Sequence, residues 1–353
     1  MPSSKDKVLY FYTAESPFVE KDIEILNTTY EVKRFFFNIY NKKRMFRILL
    51  GQFIFLLKYS WSGKLIVCQF AGLHGFIPAL FSKFFFKKSV IVSGGTDCVS
   101  FPSINYGNFS NKRNAAITGF CFKQAALILP VHESLILSKY DYQPNDYSHQ
   151  GIKQFLPELK TPMTVVYNGY DGNYWHRKQT VGEGATFVTV LGHVNSKFTL
   201  LLKGIDLYVE MARKFPYERF TIIGGASLEI ADKPANLELV SNIWGAAMVD
   251  VFSSHRFYVQ LSISEGFPNA LSEAMLCECV PIVSAVGGMP DIVGDTGYIL
   301  RHKDLDELHD LFQKALSYND PESLGKKARQ KIAENYTFDK RKQKILSELN
   351  KIA

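Results

Sequence analysis

The sequence predicts an α/β protein made of two doubly wound parallel-sheet domains. The chain has 353 residues, 46% of them hydrophobic, and this length is too great for one compact core. Short apolar strands alternate with amphipathic helices, which is typical of parallel sheets with crossover helices. A polar, glycine-containing stretch over residues 169–185 interrupts the alternation, which then restarts, and we interpret this stretch as a linker.

These observations predict a first domain over residues 1–168 and a second over residues 169–335. The remaining residues, 336–353, are predicted to form a helix that packs back toward the first domain. In doubly wound sheets, ligands bind outside the carboxyl ends of the strands. We therefore expect the functional site in a cleft between two facing domains.

The first half opens with a strand over residues 8–12. Ser16 and Pro17 then signal a helix start, and Val19, Ile23 and Leu26 recur on one helix face at i, i+4 and i+7. Apolar runs bounded by turn residues predict the other strands of this half. These are residues 65–70, 89–92, 126–131 and 163–167.

The second half repeats the pattern. Residues 204–213 form a predicted helix with Ile205, Val209 and Ala212 facing inward, and a late helix carries apolar residues at the same period. That late helix is marked by Leu305, Leu308, Phe312 and Ala315. The predicted strands are residues 187–191, 220–223, 257–262 and 281–284.

The net charge is +7, and its distribution is uneven. Residues 33–88 contain eleven Lys or Arg, no Asp or Glu, and several phenylalanines. The apolar run over residues 48–57 is about half of the ~20 residues that a membrane-spanning helix needs. We predict an anionic membrane surface as a partner, because lipid headgroups attract basic side chains. The predicted contacts are Lys42, Lys43, Arg44 and Arg47. The alternative is core helices with solvated lysines, and no nucleic-acid-binding motif is evident.

The five cysteines have no metal-binding spacing, and we expect them to be reduced and mostly buried. The N-terminus has neither an apolar signal core nor a cleavage site. We therefore expect a cytoplasmic protein, attached peripherally to the inner face of the membrane.

Residues 264–275, SEGFPNALSEAM, combine two glutamates with a helix start. They follow a predicted strand, Gly266 permits close backbone approach, and Pro268 is tolerated in a first helical turn. Asn269 is predicted as the N-cap. Glu265 would then lie in the loop and Glu273 in the first turns of the helix.

A helix start offers free N–H groups that bind anions. A phosphate there would lie between the two carboxylates, and each carboxylate can accept hydrogen bonds from hydroxyl groups. The alternative is that Glu273 only complements the helix dipole while Glu265 is a solvated loop residue.

SEGFPNALSEAM resembles the E-x7-E motif of retaining glycosyltransferases with the GT-B fold, especially glycosyltransferase family 4 (glycosyl transferases group 1). Residues 279–300, 201–212 and 165–171 resemble further segments of that family. The resemblance implies two Rossmann-like domains, with acceptor binding in the first and nucleotide-sugar binding in the second. It also implies transfer from a nucleotide diphosphate sugar, most often a UDP-sugar, as co-substrate with no cofactor and no metal.

The resemblance also implies roles for individual residues. Glu265 would contact hydroxyls of the donor sugar, Glu273 the ribose diol, and Lys203 the leaving diphosphate. His193 stands where the family usually has an arginine, and Lys197 is a candidate replacement. The backbone that would receive the diphosphate consists of Gly266, Phe267, Pro268, Asn269, Ala270 and Leu271.

In the first domain, Thr96 and Asp97 follow a strand near where relatives have a donor-facing polar residue. Asp97 is predicted as a catalytic contact, with turn stabilisation as the alternative. His74 and Thr96 are predicted acceptor contacts, with a satisfied loop histidine as the alternative for His74.

We therefore predict a retaining, metal-independent hexosyl- or N-acetylhexosaminyl-transferase. The acceptor is predicted to be a lipid-linked or cell-surface glycan, of lipopolysaccharide type, at the membrane face. The alternatives are a nucleotide-sugar epimerase, a retaining glycosidase and a non-catalytic protein that binds a nucleotide sugar within a membrane assembly. Asp304 and Asp306 form a D-x-D, which we interpret as a helix start because acids favour that position.

Overall fold

The computed structural model describes residues 5–39, 41–182, 184–192 and 197–352, without the side chains of residues 42, 60 and 197–199. The chain divides into two compact units. The first comprises residues 1–139, 146–168 and 339–353, and the second residues 140–145 and 169–338.

The first unit contains a five-stranded parallel sheet of order β2-β1-β3-β4-β5. Its central strands are almost fully buried, as expected for a parallel sheet covered on both faces. A two-stranded antiparallel pair, β6 with β7, lies outside it. The strands are β1 (Lys7–Tyr12), β2 (Glu31–Phe36), β3 (Gly63–Gln69), β4 (Lys88–Ser93), β5 (Leu127–Pro130), β6 (Ser138–Lys139) and β7 (His149–Gln150).

Helices connect these strands. The predicted inward residues of the first helix, Val19, Ile23 and Leu26, are buried. Ser16 occupies its N-cap position without a side-chain capping bond, and Pro17 begins the helix as predicted. The helices are α1 (Pro17–Asn27), α2 (Met45–Ser60), α3 (Leu73–Phe85), α4 (Lys112–Gln124) and α5 (Ile152–Phe155).

The second unit contains a six-stranded parallel sheet of order β10-β9-β8-β11-β12-β13. Its strands are β8 (Thr186–Val190), β9 (Arg219–Ile223), β10 (Leu237–Val240), β11 (Phe257–Gln260), β12 (Val280–Ser284) and β13 (Tyr298–Leu300). Its helices are α6 (Lys197–Leu202), α7 (Ile205–Lys214), α8 (Ala246–Ser254), α9 (Asn269–Leu276), α10 (Met289–Val293), α11 (Leu305–Leu316) and α12 (Pro321–Asn335).

The last helix, α13 (Phe338–Ile352), returns to the first unit. Arg341 is 5% exposed and forms a bidentate ion pair with Asp22 of α1, with both N···O distances at 2.9 Å. The same guanidinium donates to the carbonyl oxygens of Val166 and Tyr167. The planar five-donor fork of arginine suits such a site, and α13 is thereby fixed to the unit.

The predicted strand over residues 163–167 is wrong. Met163 makes only an isolated bridge to Ile128, although Thr164 and Val166 donate to carbonyls of the β5 strand. The edge strands β2 and β10 were not predicted, because neither contains a continuous apolar run. In the second unit, the described residues of 169–185 contain no helix or strand, but they are not a loose linker, since Trp175 is 8% exposed.

All five cysteines are buried and free, as the sequence predicts. Within the described ranges, no helix combines the length and the hydropathy that crossing a bilayer requires.

Candidate functional site

The candidate site lies at the carboxyl edge of the second unit's sheet. Strand β11 ends at Gln260, and residues 261–268 connect it to α9. Lys203 and Gly204 lie between α6 and α7, after the neighbouring strand β8. Parallel strands share the direction of their carboxyl ends, so both loops open at the edge where doubly wound sheets bind ligands.

The carboxylate of Glu265 is held by three donors at one oxygen. Lys203 Nζ lies 2.6 Å from Oε1, and Gln260 Nε2 and Ser262 Oγ each donate to the same atom over 2.8 Å. The Glu265 side chain is 13% exposed and that of Lys203 is 28% exposed. All the donors that reach this carboxylate from the described part of the chain bind Oε1. Because these three donors share Oε1, acceptor capacity for a ligand remains at Oε2.

The Gln260 side chain is itself held in place, because Tyr258 OH donates to its Oε1 over 3.0 Å. Ser262 is held through its carbonyl, which accepts a 2.6 Å hydrogen bond from Ser284 Oγ. Gln260 and Ser262 were missed by the sequence analysis. The signal that could have found them is the strand period of two, which puts 258, 260 and 262 on one face just before Glu265.

Two glycines let neighbouring loops approach this backbone closely. Gly204 has a φ of +66°, and a Cβ there would lie 2.1 Å from the carbonyl oxygen of Leu261. Gly287 has a φ of +56°, and its Cβ would lie 1.8 Å from the carbonyl oxygen of Glu265. Any L side chain would collide with the peptide backbone at either position. Close backbone packing at these glycines therefore fixes the position of the Lys203 loop relative to the Glu265 loop.

Helix α9 begins at Asn269, with Pro268 in the N-cap position. The prediction that Asn269 is the N-cap is wrong by one residue. Pro268 has extended dihedrals and no side-chain capping bond, while Asn269 Oδ1 accepts a hydrogen bond from Tyr170 OH over 2.9 Å. The ring of Phe267 is buried and lies close to Tyr170 and Tyr336.

The other residues of the motif lie in the loop before α9 and in its first turns, and their donor-binding roles stay predictions. Gly266, Pro268 and Leu271 are buried, whereas Ala270 and Glu273 are partly exposed in the first turns of α9. The start of this eight-residue helix thus lies between a loop glutamate and a helix glutamate. Free N–H groups at such a start bind anions. His193 lies outside the described residues, and so do the side chains of Lys197 and Lys42.

In the first unit, the structure favours the alternative interpretation of Asp97. Its carboxylate is 1% exposed and accepts hydrogen bonds from the backbone N–H groups of Ala71, Gly94 and Gly95. Burial raises the pKa of this carboxyl group above its ordinary range. The geometry is that of a side chain that stabilises the turn after β4, with no exposed face for a sugar.

His74 is likewise buried, and its ring is hydrogen-bonded within the fold. It is 4% exposed, and its Nε2 donates to the carbonyl of Gln69 over 2.6 Å. Desolvation lowers the pKa of His74 to about 4. Its predicted acceptor contact is therefore not supported by the geometry. Thr96 is exposed, and its hydroxyl lies 2.8 Å from Tyr106 OH, so its acceptor contact stays a prediction.

The D-x-D acids act at a helix start, as the sequence predicts. Asp304 caps α11 by accepting from the backbone N–H groups of Asp306 and Glu307, at 2.9 and 2.8 Å. Within the described ranges, no three His, Cys, Asp or Glu side chains are grouped as metal ligands.

Comparison with known proteins identifies a family that the second unit resembles. Residues 176–335 match the family model described as glycosyl transferases group 1. This match covers somewhat less than half of the chain. The matched segment contains Lys203, the E-x7-E glutamates and the whole of the second unit's sheet.

A solved structure, Anabaena HepE in complex with UDP-glucose, is 14% identical, with a TM-score of 0.72 over 98% of this chain and 99% of that chain. This likeness confirms the predicted GT-B class of fold, made of two doubly wound parallel-sheet units.

Two curated relatives match shorter segments. A trehalose synthase from Thermococcus litoralis is 26% identical over 165 residues, which is 41% of this chain and 40% of the relative. A component of the phosphatidylinositol N-acetylglucosaminyltransferase from Arabidopsis thaliana is 26% identical over 127 residues, which is 33% of this chain and 28% of the relative. The chain thus covers less than half the length of these relatives.

Proposed function

We propose that the protein is a retaining, metal-independent glycosyltransferase that uses a UDP-sugar as donor. The observation that carries the proposal is the Glu265 carboxylate in the loop that leads to α9, whose Oε1 accepts from three donors while acceptor capacity remains at Oε2. It lies in the segment that matches the glycosyl transferases group 1 model. The structure of HepE with UDP-glucose supports the choice of donor class.

Glu265 acts as a clamp on the sugar in this proposal. With Lys203 and two neutral donors on Oε1, its negative charge is stabilised and it is a poor nucleophile. Oε2 accepts a hydroxyl hydrogen bond and thereby orients the sugar. An interaction with a charged group contributes roughly 1.5–3 kcal/mol.

Lys203 and the α9 start act on the leaving group. The bond between the anomeric carbon and the diphosphate oxygen breaks, and the acceptor oxygen bonds to the same face of that carbon. The acceptor's proton goes to the departing nucleotide diphosphate. Lys203 and the backbone N–H groups after Pro268 stabilise the charge that develops on the diphosphate. One such preorganised donor contributes roughly 2.7–4 kcal/mol to the transition state.

We further propose that the acceptor is a lipid-linked or cell-surface glycan at an anionic membrane face. The basic segment over residues 33–88 supports this proposal, with Lys43, Arg44 and Arg47 all exposed. A relative whose name specifies phosphatidylinositol is consistent with it.

The test starts with donor binding. We expect a UDP-sugar at 100 times its dissociation constant to add roughly 2.7 kcal/mol of stability, measured as a thermal shift. Glu273→Ala should remove most of that shift, because the ribose diol loses its acceptor. Glu238→Ala, at an exposed glutamate on β10, is the matched control and should keep it.

Transfer is tested next with the bound sugar and membrane extracts. Proton NMR of the product should show the same anomeric configuration as the donor. Turnover of the donor to an epimer without acceptor, binding without any transfer, or an inverted product would each overturn the proposal.

A further inference from the structure

One face of α2 is apolar yet exposed. It consists of Phe46, Leu50, Phe53, Ile54 and Leu57, whose exposed fractions are 77%, 48%, 41%, 55% and 43%. We call this set the α2 stripe. At ~100° per residue these positions span about 100° of the helix circumference, which is a continuous band along its length.

The opposite face of α2 is already packed. Gln52 and Leu56 are fully buried, and Gln52 Nε2 donates to the carbonyl of His74 on α3. The helix is therefore apolar on its outer side in addition to its core side. A helix that packs one apolar face and exposes another has more apolar surface than its own unit covers.

A second exposed apolar group lies at the amino edge of the same sheet. Trp61 follows α2 and is 94% exposed, and Phe86 follows α3 and is 91% exposed. Both precede neighbouring strands, β3 and β4. Lys87 Nζ donates to the carbonyl of Gly63 over 3.1 Å, so the two turns are tied together. With Phe84 they form what we call the Trp61–Phe86 tip.

The backbone of Phe86 is unusual for its residue type. It closes α3 with a φ of +53°, in the left-handed region that favours glycine at helix ends. A non-glycine residue there carries a conformational cost, and the exposed ring gains no burial within the unit. Exposing the Phe86 ring at the tip therefore lowers the stability of the first unit.

Charge indicates what this surface contacts. Arg47 and Lys58 lie along one side of the α2 stripe and are exposed, and Lys43 and Arg44 precede it. The segment over residues 33–88 has no Asp or Glu that could neutralise them. An apolar band with a basic edge complements anionic lipid headgroups above an acyl layer.

We propose that α2 lies flat in an anionic membrane surface, with the α2 stripe and the Trp61–Phe86 tip inserted below the headgroups. This inference rests on the membrane-face part of the proposed function and adds insertion to electrostatic attraction. Helix α2 begins after the carboxyl end of β2, the sheet edge where Thr96 follows β4. A lipid-linked acceptor in the same surface would thus reach the unit at its polar edge.

The test uses the full chain and vesicles of phosphatidylcholine with phosphatidylglycerol carrying brominated acyl chains. Bromine quenches only tryptophans that enter the acyl region. We expect quenching of Trp61, and its loss in Trp61→Phe. The other two tryptophans, Trp175 and Trp244, lie in the second unit and supply a constant background.

The stripe variant is Phe46→Ser/Leu50→Ser/Ile54→Ser, which removes apolar surface at three exposed positions. We expect its vesicle affinity to fall roughly tenfold or more. The matched control is Leu137→Ser/Tyr217→Ser/Tyr318→Ser, which removes three exposed apolar side chains outside both groups. This control should bind as the wild type does.

Three results would overturn the proposal: an unquenched Trp61, a stripe variant with wild-type vesicle affinity, or a wild-type dimer that the stripe variant converts to a monomer in solution. The last would assign the surface to a second copy of the chain. UDP-sugar binding, measured without vesicles, should be the same in the stripe variant. Membrane insertion and donor chemistry can thus fail independently.

Discussion

Lys203 Nζ and Glu265 Oε1 are 2.6 Å apart, although 62 residues separate them in the chain. In our proposal, Lys203 carries the positive charge that neutralises the leaving diphosphate, and Glu265 orients the sugar. Their direct contact means that each positions the other. The ammonium is a compact point charge with three N–H donors, and it holds the carboxylate through one of them.

We expect Lys203→Ala to lower kcat/KM at least a hundredfold, because it removes the point charge near the diphosphate and frees Glu265 to rotate. Steady-state transfer rates with a UDP-sugar measure the effect. Lys178→Ala is a suitable control, because Lys178 forms a 2.8 Å ion pair with Asp250 in the same unit, on an exposed surface. A Lys203→Ala enzyme with the rate of that control would refute the assignment.

Gln260 is expected to position Glu265 without touching the substrate. Gln260→Met keeps the volume but removes the donor to Oε1, and kcat/KM should fall roughly tenfold. It also leaves the buried Tyr258 hydroxyl without its acceptor, at a cost of about 1–3 kcal/mol. Adding Tyr258→Phe should restore much of that stability, measured by urea unfolding, but none of the activity. Recovery of both together would mean that Gln260 has only a structural role.

Asp97 is expected to stabilise the fold of the first unit. Asp97→Asn replaces one acceptor oxygen with a donor that faces backbone N–H groups, so the free energy of unfolding should fall by about 1–3 kcal/mol. Its exposed neighbour Thr96 provides the comparison, since Thr96→Ala should leave stability within roughly 0.5 kcal/mol. An Asp97→Asn protein of unchanged stability but lost transfer would instead restore the catalytic interpretation.

His74 makes the stability of the protein depend on pH. Burial lowers its pKa from 6.5 to about 4 in the folded state. Between these values the unfolded chain binds more protons, so the free energy of unfolding falls as the pH decreases, whereas well above pH 6.5 His74 has no effect on it. The decrease from pH 6.5 to 5 should be about 1.5 kcal/mol.

Urea unfolding at both pH values, compared between wild type and His74→Gln, isolates this contribution. His149→Gln, at an exposed histidine, should retain the wild-type dependence. Equal pH slopes for wild type and His74→Gln would show that His74 is not responsible.

The sequence predicts the fold class, and the placement of Glu265 in a loop and Glu273 in a helix, for a physical reason. Buried parallel strands are continuous apolar runs, and the E-x7-E stretch is a local unit whose order of strand, loop and helix is contained in a short segment. Glu265 and Glu273 could therefore be assigned to loop and helix without knowledge of any distant contact.

Residues whose role depends on distant partners could not be predicted in this way. Asp97 resembles an exposed polar residue in the sequence, and only folding brings the N–H of Ala71 to its carboxylate. Gln260 gains its role from Glu265 and Tyr258 together. The edge strands β2 and β10 were missed because hydrogen bonding to a neighbouring strand, and not an apolar composition, identifies them as strands.

The position of α13 has a consequence for synthesis on the ribosome. Asp22 is buried in the first unit, and its ion-pair partner Arg341 is translated more than three hundred residues later. Until α13 emerges, the nascent first unit must keep an aspartate hydrated or uncompensated in a site built for a guanidinium. The first unit therefore completes its buried ion pair only after residues 169–338 of the second unit have been translated.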